Sequence, residues 1–153
     1  MRRLGPEDWQ LYRRVRLDAL KEAPYAFGSS YEAEVKAPDG RWRDVVTNRT
    51  RFVAEVDGAI AGTVSGGDGE SRRAAAMTAM WVDPRFRKQG VGELLVKTVV
   101  EWAQASGYAQ MVLWVTDGNA NAERLYERNG FRRTGAQQDV RPGKVEREMS
   151  RPL

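Results

Sequence analysis

The chain has 153 residues, of which 41% are hydrophobic and 30% charged, and it contains neither histidine nor cysteine. These two absences exclude a zinc finger, a Ser-His-Asp triad and a Cys-His nucleophile pair. Any chemistry must use carboxylates, Tyr, Lys, hydroxyls, backbone dipoles or a bound cofactor. The net charge of +4 favours an anionic partner. Because the basic residues are spread along the chain, a phosphorylated small molecule is favoured over nucleic acid.

The length suits one domain covering residues 1–153. No apolar run approaches the roughly 18 residues that a membrane span needs, and the N-terminus lacks the apolar stretch of a signal peptide. We therefore expect a single cytoplasmic domain that binds neither membrane nor nucleic acid, and no metal site.

The first third of the chain is predicted to be helical. Apolar residues at helical spacing predict a helix over 8–21, which Pro24 ends. Ser29 or Ser30 would cap a short second helix, and a third follows Pro38. We interpret this region as helices packed on a sheet. The alternative is a lid over a substrate pocket, for which the candidate residues are Tyr25, Phe27, Glu32 and Glu34.

Strands dominate the middle of the chain. The Asp57-Gly58 pair between apolar runs 52–56 and 59–64 predicts a hairpin with a type I′ turn. The glycine-rich segment 66–70 is interpreted as a polar turn into a third strand over 73–82.

The second half alternates helices and strands. A helix begins after Gly90, a buried strand covers 110–116, a helix follows Asn119, and two terminal strands flank the turn 141–144. The predicted buried stripe of the first of these helices comprises Val91, Leu94, Leu95, Thr98, Val99, Trp102 and Ala105. This order predicts a mixed α/β fold with a right-handed parallel crossover from Met77 to Thr116.

The segment 81–95, WVDPRFRKQGVGELL, predicts an anion site. It joins the end of a strand to the start of a helix through a basic, glycine-containing turn. Backbone N–H groups at a helix start have no intrahelical acceptor, and the helix dipole adds partial positive charge there. A second helix start, at Asn119, would open at the same end of the sheet, which strengthens the prediction of a phosphate site.

Two separated motifs resemble those of the GNAT superfamily of N-acetyltransferases. The first resembles the acyl-CoA pyrophosphate loop and reads Val82-x-Pro84 followed by Arg87-x-x-Gly90-x-Gly92. The second resembles the family's other cofactor segment and comprises Leu113-x-Val115, Asn119-x-x-Ala122-x-x-Leu125-Tyr126 and Asn129-Gly130-Phe131. The resemblance implies a mostly antiparallel twisted sheet, splayed at the cofactor cleft and flanked by helices on both faces.

The resemblance also implies how acetyl-CoA would bind. Its pantetheine would pair with the strand backbone at Met80, Trp81 and Val82, and Asn119 would cap its helix and face the cofactor. The pyrophosphate would lie over backbone amides, with charge from Arg87 and Lys88. The residues implied in that loop are Arg87, Lys88, Gln89, Gly90, Val91, Gly92 and Glu93.

Direct acetyl transfer needs a thiolate-stabilising group and a base. The resemblance assigns Tyr126 to the leaving thiolate, and a backbone N–H within 80–82 would polarise the thioester carbonyl. Some relatives carry a glutamate base at the position of Trp114, which cannot accept a proton. The base therefore stays open between a bound water and the carboxylates of Asp83, Glu55, Glu32 and Glu34.

The leading functional prediction is an acetyl-CoA-dependent N-acetyltransferase that acts on a small-molecule or peptide amine. Tyr25, Phe27 and Trp114 with Glu32 or Glu34 would suit an amine with an apolar part. Two alternatives are a CoA-binding module without catalysis and a basic nucleic-acid-binding domain. The family resemblance also implies a homodimer.

Overall fold

In the computed structural model, which describes residues 1–153, seven strands form one sheet in the order β1-β2-β3-β4-β5-β7-β6. The strands are β1 (Arg2–Arg3), β2 (Thr50–Val56), β3 (Ala59–Asp68), β4 (Ala74–Val82), β5 (Gln110–Thr116), β6 (Arg132–Arg141) and β7 (Lys144–Pro152). The helices are α1 (Trp9–Glu22), α2 (Tyr31–Glu34), α3 (Asp39–Val45), α4 (Val91–Ala105) and α5 (Ala120–Arg128). The predicted mixed fold is confirmed.

The two faces of the sheet carry separate cores. On one face α4 and α5 cover a core that includes Val64, Met77, Leu95, Met111 and Phe131. On the other face α1 and α3 enclose a second core that includes Val15, Leu20, Trp42, Val53 and Trp81. No helix is long and apolar enough to cross a membrane.

Local sequence signals place several turns and caps correctly. Asp57 and Gly58 have φ of 50° and 80°, as the type I′ hairpin between β2 and β3 requires. Ser30 Oγ accepts a hydrogen bond from the Ala33 N–H at 3.2 Å and caps α2. The two-residue β1 was not predicted, because Arg2 and Arg3 are exposed and carry no apolar alternation.

The predicted turn at Gly66-Gly67 is wrong, because β3 continues through both residues to Asp68. A Cβ at Gly66 would lie 2.6 Å from Cζ3 of Trp102, and one at Gly67 would lie 2.5 Å from Nη1 of Arg49. Glycine at these two positions leaves room for two side chains that cross the strand, Trp102 from α4 and Arg49 from the segment before β2. The terminal hairpin is also longer than the strands predicted over 131–134 and 145–149, since β6 extends to Arg141 and β7 to Pro152.

The buried stripe of α4 is only partly as predicted. Leu94 is 49% exposed, whereas α4 buries Val91, Leu95, Val96, Val99, Val100 and Ala103. Residues 91, 95 and 99 are buried as predicted, but apolar side chains lie on both sides of them around the helix. Helical periodicity alone does not decide which of the two sides faces the sheet. Here it is the side that carries Val96, Val100 and Ala103.

The most consequential feature of the sheet is its parallel pair. β4 pairs with β5 only from Ala74 to Met77, opposite Gln110 to Leu113. Beyond Met77 the strands separate, while the β3–β4 register shifts between Thr63 and Ser65. Ala79, in β4 at this point, has a φ of 56°. The predicted splay of the sheet is confirmed, and a bulge in β4 accompanies it.

We predict that Gly66→Ala lowers the free energy of unfolding by about 1–3 kcal/mol, because its Cβ overpacks the Trp102 ring. In a chain of this size the melting temperature should fall by roughly 3–10 °C. Denaturant and thermal unfolding measure both quantities. Gly40→Ala in α3 is the control, since a Cβ there has no atom within 4 Å. Equal stability of Gly66→Ala and the wild type would contradict the steric explanation.

Candidate active site

The gap between β4 and β5 leaves one edge of β4 without a strand partner. The unpaired edge runs from Thr78 to Val82. Met80 and Val82 pack towards the core under α4, whereas Trp81 is buried in the core on the other face. The Trp81 indole Nε1 donates to Glu22 Oε1 at 3.0 Å, which anchors this edge to the end of α1. The exposed backbone can accept an extended ligand as an additional strand.

The start of α4 presents a run of backbone donors. Gly90 adopts a left-handed conformation with φ of 83°, and the first helical bond runs from Leu94 N–H to Gly90 O at 3.1 Å. The N–H groups from Lys88 to Glu93 find no acceptor within the protein. A Cβ at Gly90 would meet no atom within 4 Å, so the approach to these donors is open. This is the geometry of an anion site.

Arg87 and Lys88 have different surroundings. The Arg87 Nε donates to Val82 O at 3.0 Å, and its Nη2 donates to the Glu22 carboxylate. Arg87 thus connects the loop to β4 and α1, and Glu22 compensates its charge. Lys88 is exposed, has φ of 62° and forms no ion pair. Lys88 is therefore the loop cation without a carboxylate partner in the protein.

Close contact between α4 and α5 brings the second motif to the same cleft. A Cβ at Gly92 would lie 3.1 Å from Cδ2 of Leu125, so this glycine has a packing role. Glu93 accepts hydrogen bonds from Asn129 Nδ2 at 2.8 Å and from Arg128 Nε at 2.9 Å. The hydrogen bond from Asn129, followed by that from Arg128, holds the pKa of the Glu93 carboxyl below its usual value. The first turn of α4 is thereby fixed to the last turn of α5.

Tyr126 projects from α5 into a mostly apolar environment. Its side chain is 7% exposed, and its ring packs edge-on against Phe131 with centroids 6.1 Å apart. The hydroxyl makes no hydrogen bond within the protein and is not among the fully enclosed polar atoms without a partner. Burial raises the pKa of the Tyr126 phenol, so the hydroxyl stays protonated and available as a donor. Asn119 Oδ1 caps the same helix by accepting from Ala122 N–H at 3.4 Å.

A cleft of about 870 Å³ lies on the face of the sheet opposite to α4 and α5. Its sheet wall follows from strand alternation. Leu113 and Met149 point into the core, so their neighbours Trp114 and Glu148, which are also paired across β5 and β7, face the cleft. The opposite wall, formed by α1 to α3 and the loop before α2, includes Tyr12, Arg16, Phe27, Glu34 and Trp42.

Only part of the predicted substrate set meets in this cleft. Phe27 and Trp114 line it, together with Glu34. Tyr25 is 55% exposed and lies at a smaller cavity of about 410 Å³, formed with residues 116–121. Glu32 is exposed on α2 and contributes to neither cavity. Lys144 positions the Phe27 loop, because its Nζ donates to the carbonyls of Phe27 and, at 3.2 Å, Pro24.

The base candidates also separate in space. Asp83 accepts from Arg85 N–H at 2.9 Å and pairs with its side chain, and this contact lowers the pKa of the Asp83 carboxyl. Glu55 pairs with Arg2. Glu34 lines the cleft but forms a two-pronged pair with Arg16 at 2.9 Å for each bond.

Sequence reasoning missed Glu146 and Glu148, two carboxylates of β7 that line the cleft. Glu148 lies directly opposite Trp114 in the antiparallel register of β5 and β7. Glu148 therefore places a carboxylate beside Trp114, the position at which some relatives carry a glutamate base. No local sequence pattern indicates this, because it depends on pairing between strands separated by α5 and β6.

Residues 12–131 match the family model of the Acetyltransferase (GNAT) family. The chain belongs to the GNAT family of acetyltransferases. This confirms the resemblance read from the two motifs. Acetyl-CoA, which the resemblance implied, is the acetyl donor of this family.

Curated relatives match part of the chain. The N-acetylaspartate synthetase of Danio rerio is 33% identical over 101 residues, which are 65% of this chain and 36% of that protein. The synthetase of Rattus norvegicus is 37% identical over 85 residues, which are 56% of this chain and 28% of the relative. The matches thus span about a third of these longer proteins.

Solved structures share the whole fold at lower identity. The protein YncA from Salmonella typhimurium, solved with its cofactor acetyl-CoA, has a TM-score of 0.81 at 20% identity, covering 99% of this chain and 92% of YncA. The ribosomal-protein-alanine N-acetyltransferase from Brucella melitensis has a TM-score of 0.73 at 21% identity, with 99% and 98% covered. At this identity the likeness establishes the fold.

The residues of this chain fit acetyl-CoA. Unpaired N–H groups from Lys88 to Glu93 suit a pyrophosphate, and the open β4 edge suits the amides of an extended pantetheine. No group of three or more His, Cys, Asp or Glu residues is arranged to hold a metal ion.

We predict that Gly90→Ala weakens CoA binding by about tenfold, the cost of losing a hydrogen bond to a charged group. Alanine disfavours the φ of 83° at Gly90 and would move the adjacent donors. Isothermal titration calorimetry with CoA measures the change. Gly107→Ala is the matched control, because Gly107 has a φ of 86° and similar open space beyond the other end of α4. Equal CoA affinity of the two variants would contradict the assignment of the loop.

Proposed function

We propose that this chain transfers the acetyl group of acetyl-CoA to the primary amine of a small molecule or peptide by direct attack. The observation that carries the proposal is the gap between β4 and β5. The two helix starts and Tyr126 belong to elements on one face of the sheet, and the 870 Å³ cleft lies on the other. An amine bound in the cleft would meet a thioester held between the strands.

On the cofactor side, we propose that the 88–93 amides hold the pyrophosphate while Arg87 braces the loop. Lys88 would add charge to the site, and the backbone of Met80 to Val82 would align the thioester arm. An N–H of this edge would polarise the carbonyl under attack. The contact of Gly92 with Leu125 supports this assignment, because it keeps α5 and Tyr126 close to the loop.

Tyr126 is proposed to stabilise the leaving thiolate. Burial keeps its hydroxyl protonated, and the protein offers that hydroxyl no competing acceptor. A hydrogen bond from the phenol to sulfur lowers the cost of expelling the thiolate. A CoA-binding module without catalysis would not need this group, so Tyr126 separates the two alternatives.

Glu148 is proposed to receive the proton that the acceptor ammonium must lose. It faces the cleft opposite Trp114, at the edge of the gap between β4 and β5. Thr134 Oγ1 donates to Glu148 Oε1 at 2.7 Å and orients the carboxylate without neutralising it. The other carboxylates considered from the sequence are paired with arginines or lie outside the cleft.

The names of the relatives support both a small-molecule and a peptide acceptor. They include N-acetylaspartate synthetases and a ribosomal-protein-alanine N-acetyltransferase. A homodimer and a cytoplasmic location stay predictions.

Tyr126→Phe should reduce kcat by at least about tenfold with a panel of amines, within the range of a proton donor. Acetyl-CoA affinity should be unchanged, because the ring still packs on Phe131. A thiol-release assay and calorimetry measure the two quantities, with Tyr31→Phe on α2 as the control outside both clefts. An unchanged kcat would remove Tyr126 from the mechanism.

Glu148→Gln should lower kcat/KM near neutral pH by at least about tenfold, as expected for loss of a general base. The deficit should narrow at higher pH, where the acceptor amine is already neutral. The pH profile of thiol release measures both effects. Glu127→Gln removes an exposed carboxylate outside the clefts and should match the wild type. A loss of equal size at every pH would indicate a structural role for Glu148.

A further inference from the structure

We propose that the acceptor cleft contains a carboxylate-binding subsite at Arg49, which selects peptide-like amines whose carboxylate lies well away from the reacting nitrogen. This inference rests on the proposed acetyltransferase function and adds the class of its acceptor.

Arg49 lies half-buried in the cleft wall, immediately before β2. Its side chain extends across Gly67 of β3, where an added Cβ would lie 2.5 Å from Nη1 and 3.2 Å from Cγ. The guanidinium carries five N–H donors. None of them has a hydrogen-bond acceptor or a carboxylate partner in the protein. A positioned cation without a partner is suited to binding a ligand anion.

The two neighbouring arginines do not remove this positive charge. Arg16 is neutralised by Glu34. Arg51 is buried and donates only to neutral acceptors, namely Ser65 Oγ at 2.9 Å, Asn48 Oδ1 at 2.8 Å and Val45 O at 2.9 Å. Burial, followed by the positive charges of Arg16 and Arg49, lowers the pKa of Arg51. Arg49 and Arg51 thus place two guanidinium charges without carboxylate partners in this part of the wall.

Four of the five acidic residues of the cleft, Glu34 among them, have other partners, and Glu70 is exposed and forms no ion pair. Asp68 accepts from the Tyr108 hydroxyl, Glu146 from Gln138 and Glu148 from Thr134. None of them forms an ion pair with Arg49.

Two further polar groups of the cleft residues lack partners. Trp42 is 2% exposed, and its indole Nε1 has no acceptor. The hydroxyl of Thr78 is buried and also unpartnered. Both atoms are fully enclosed, so the anion preference rests on the accessible guanidinium of Arg49. A carboxylate matches the two-pronged guanidinium fork.

The strand register gives the length of the acceptor. Gly67, beneath Arg49, is paired with Ala76, whereas the thioester is proposed to lie beside Met80. Four residues of strand correspond to about 13 Å, and the bulge at Ala79 shortens this to the order of 10 Å. An extended peptide of about three residues spans that distance. The amine and the carboxylate would then lie at opposite ends of a short peptide-like molecule.

The test uses alanine, dialanine and trialanine, each compared with its C-terminal amide, in the thiol-release assay. The acid should exceed the amide in kcat/KM by at least about tenfold for trialanine, the size expected of a hydrogen bond between charged groups. For alanine the acid-to-amide ratio of kcat/KM should approach one. In Arg49→Gln the trialanine ratio should fall to about one, while turnover of the amide is retained.

Three variants separate the subsite from general electrostatics. Arg14→Gln removes one exposed charge from α1 outside the cleft and should keep the wild-type ratio. Arg49→Lys should restore part of the preference, because it restores the charge without the planar fork. Gly67→Ala should reduce the preference without removing any charge, since its Cβ displaces the guanidinium.

Equal turnover of trialanine and its amide by the wild type would overturn the subsite, and so would an acid preference that survives in Arg49→Gln. A preference greatest for alanine itself would overturn the proposed length. Absence of acetyl transfer to every peptide would count against a peptide acceptor in the proposed function instead. In that case calorimetric binding of trialanine and its amide to the CoA-bound protein decides the subsite alone.

Discussion

The separation of β4 and β5 after Met77 is the constraint on which the rest of the site depends. A parallel pair that continued to Val82 would satisfy the backbone of β4 and close the sheet. Instead the bulge at Ala79 breaks the register and leaves backbone polar groups of β4 free to pair with an extended ligand. The fold can maintain this gap because β4 and β5 are each anchored on their other side, to β3 and to β7.

The parts of the protein that sequence predicts well are those specified by neighbours in the chain. The Asp57-Gly58 turn, the caps at Ser30 and Asn119 and the α4 start at Gly90 each follow from one or two residues with special backbone preferences. The two cofactor motifs combine such signals in a fixed order. A candidate anion site could therefore be predicted from these residues before the family match supplied acetyl-CoA as the acetyl donor.

The parts that sequence did not predict depend on contacts between distant segments. Gly66 resembles a turn glycine until Trp102 is placed across it, and Leu94 resembles a core residue until the flank of α4 is known. Glu148 becomes relevant only through its register with Trp114. In each case the local sequence pattern is compatible with two placements of the residue, and tertiary packing selects one of them.

Glu22 shows how the two sides of the site are coupled. Its carboxylate accepts from the Trp81 indole and from Arg87, so one side chain of α1 contacts both the open strand and the anion loop. α1 also carries Tyr12 and Arg16 into the 870 Å³ cleft. Because Glu22 and the Val82 carbonyl hold the Arg87 guanidinium, the amides from Lys88 to Glu93 are left as unpaired donors of this loop. Glu22 of α1 thus joins the open edge of β4 to the loop before α4 through a single carboxylate.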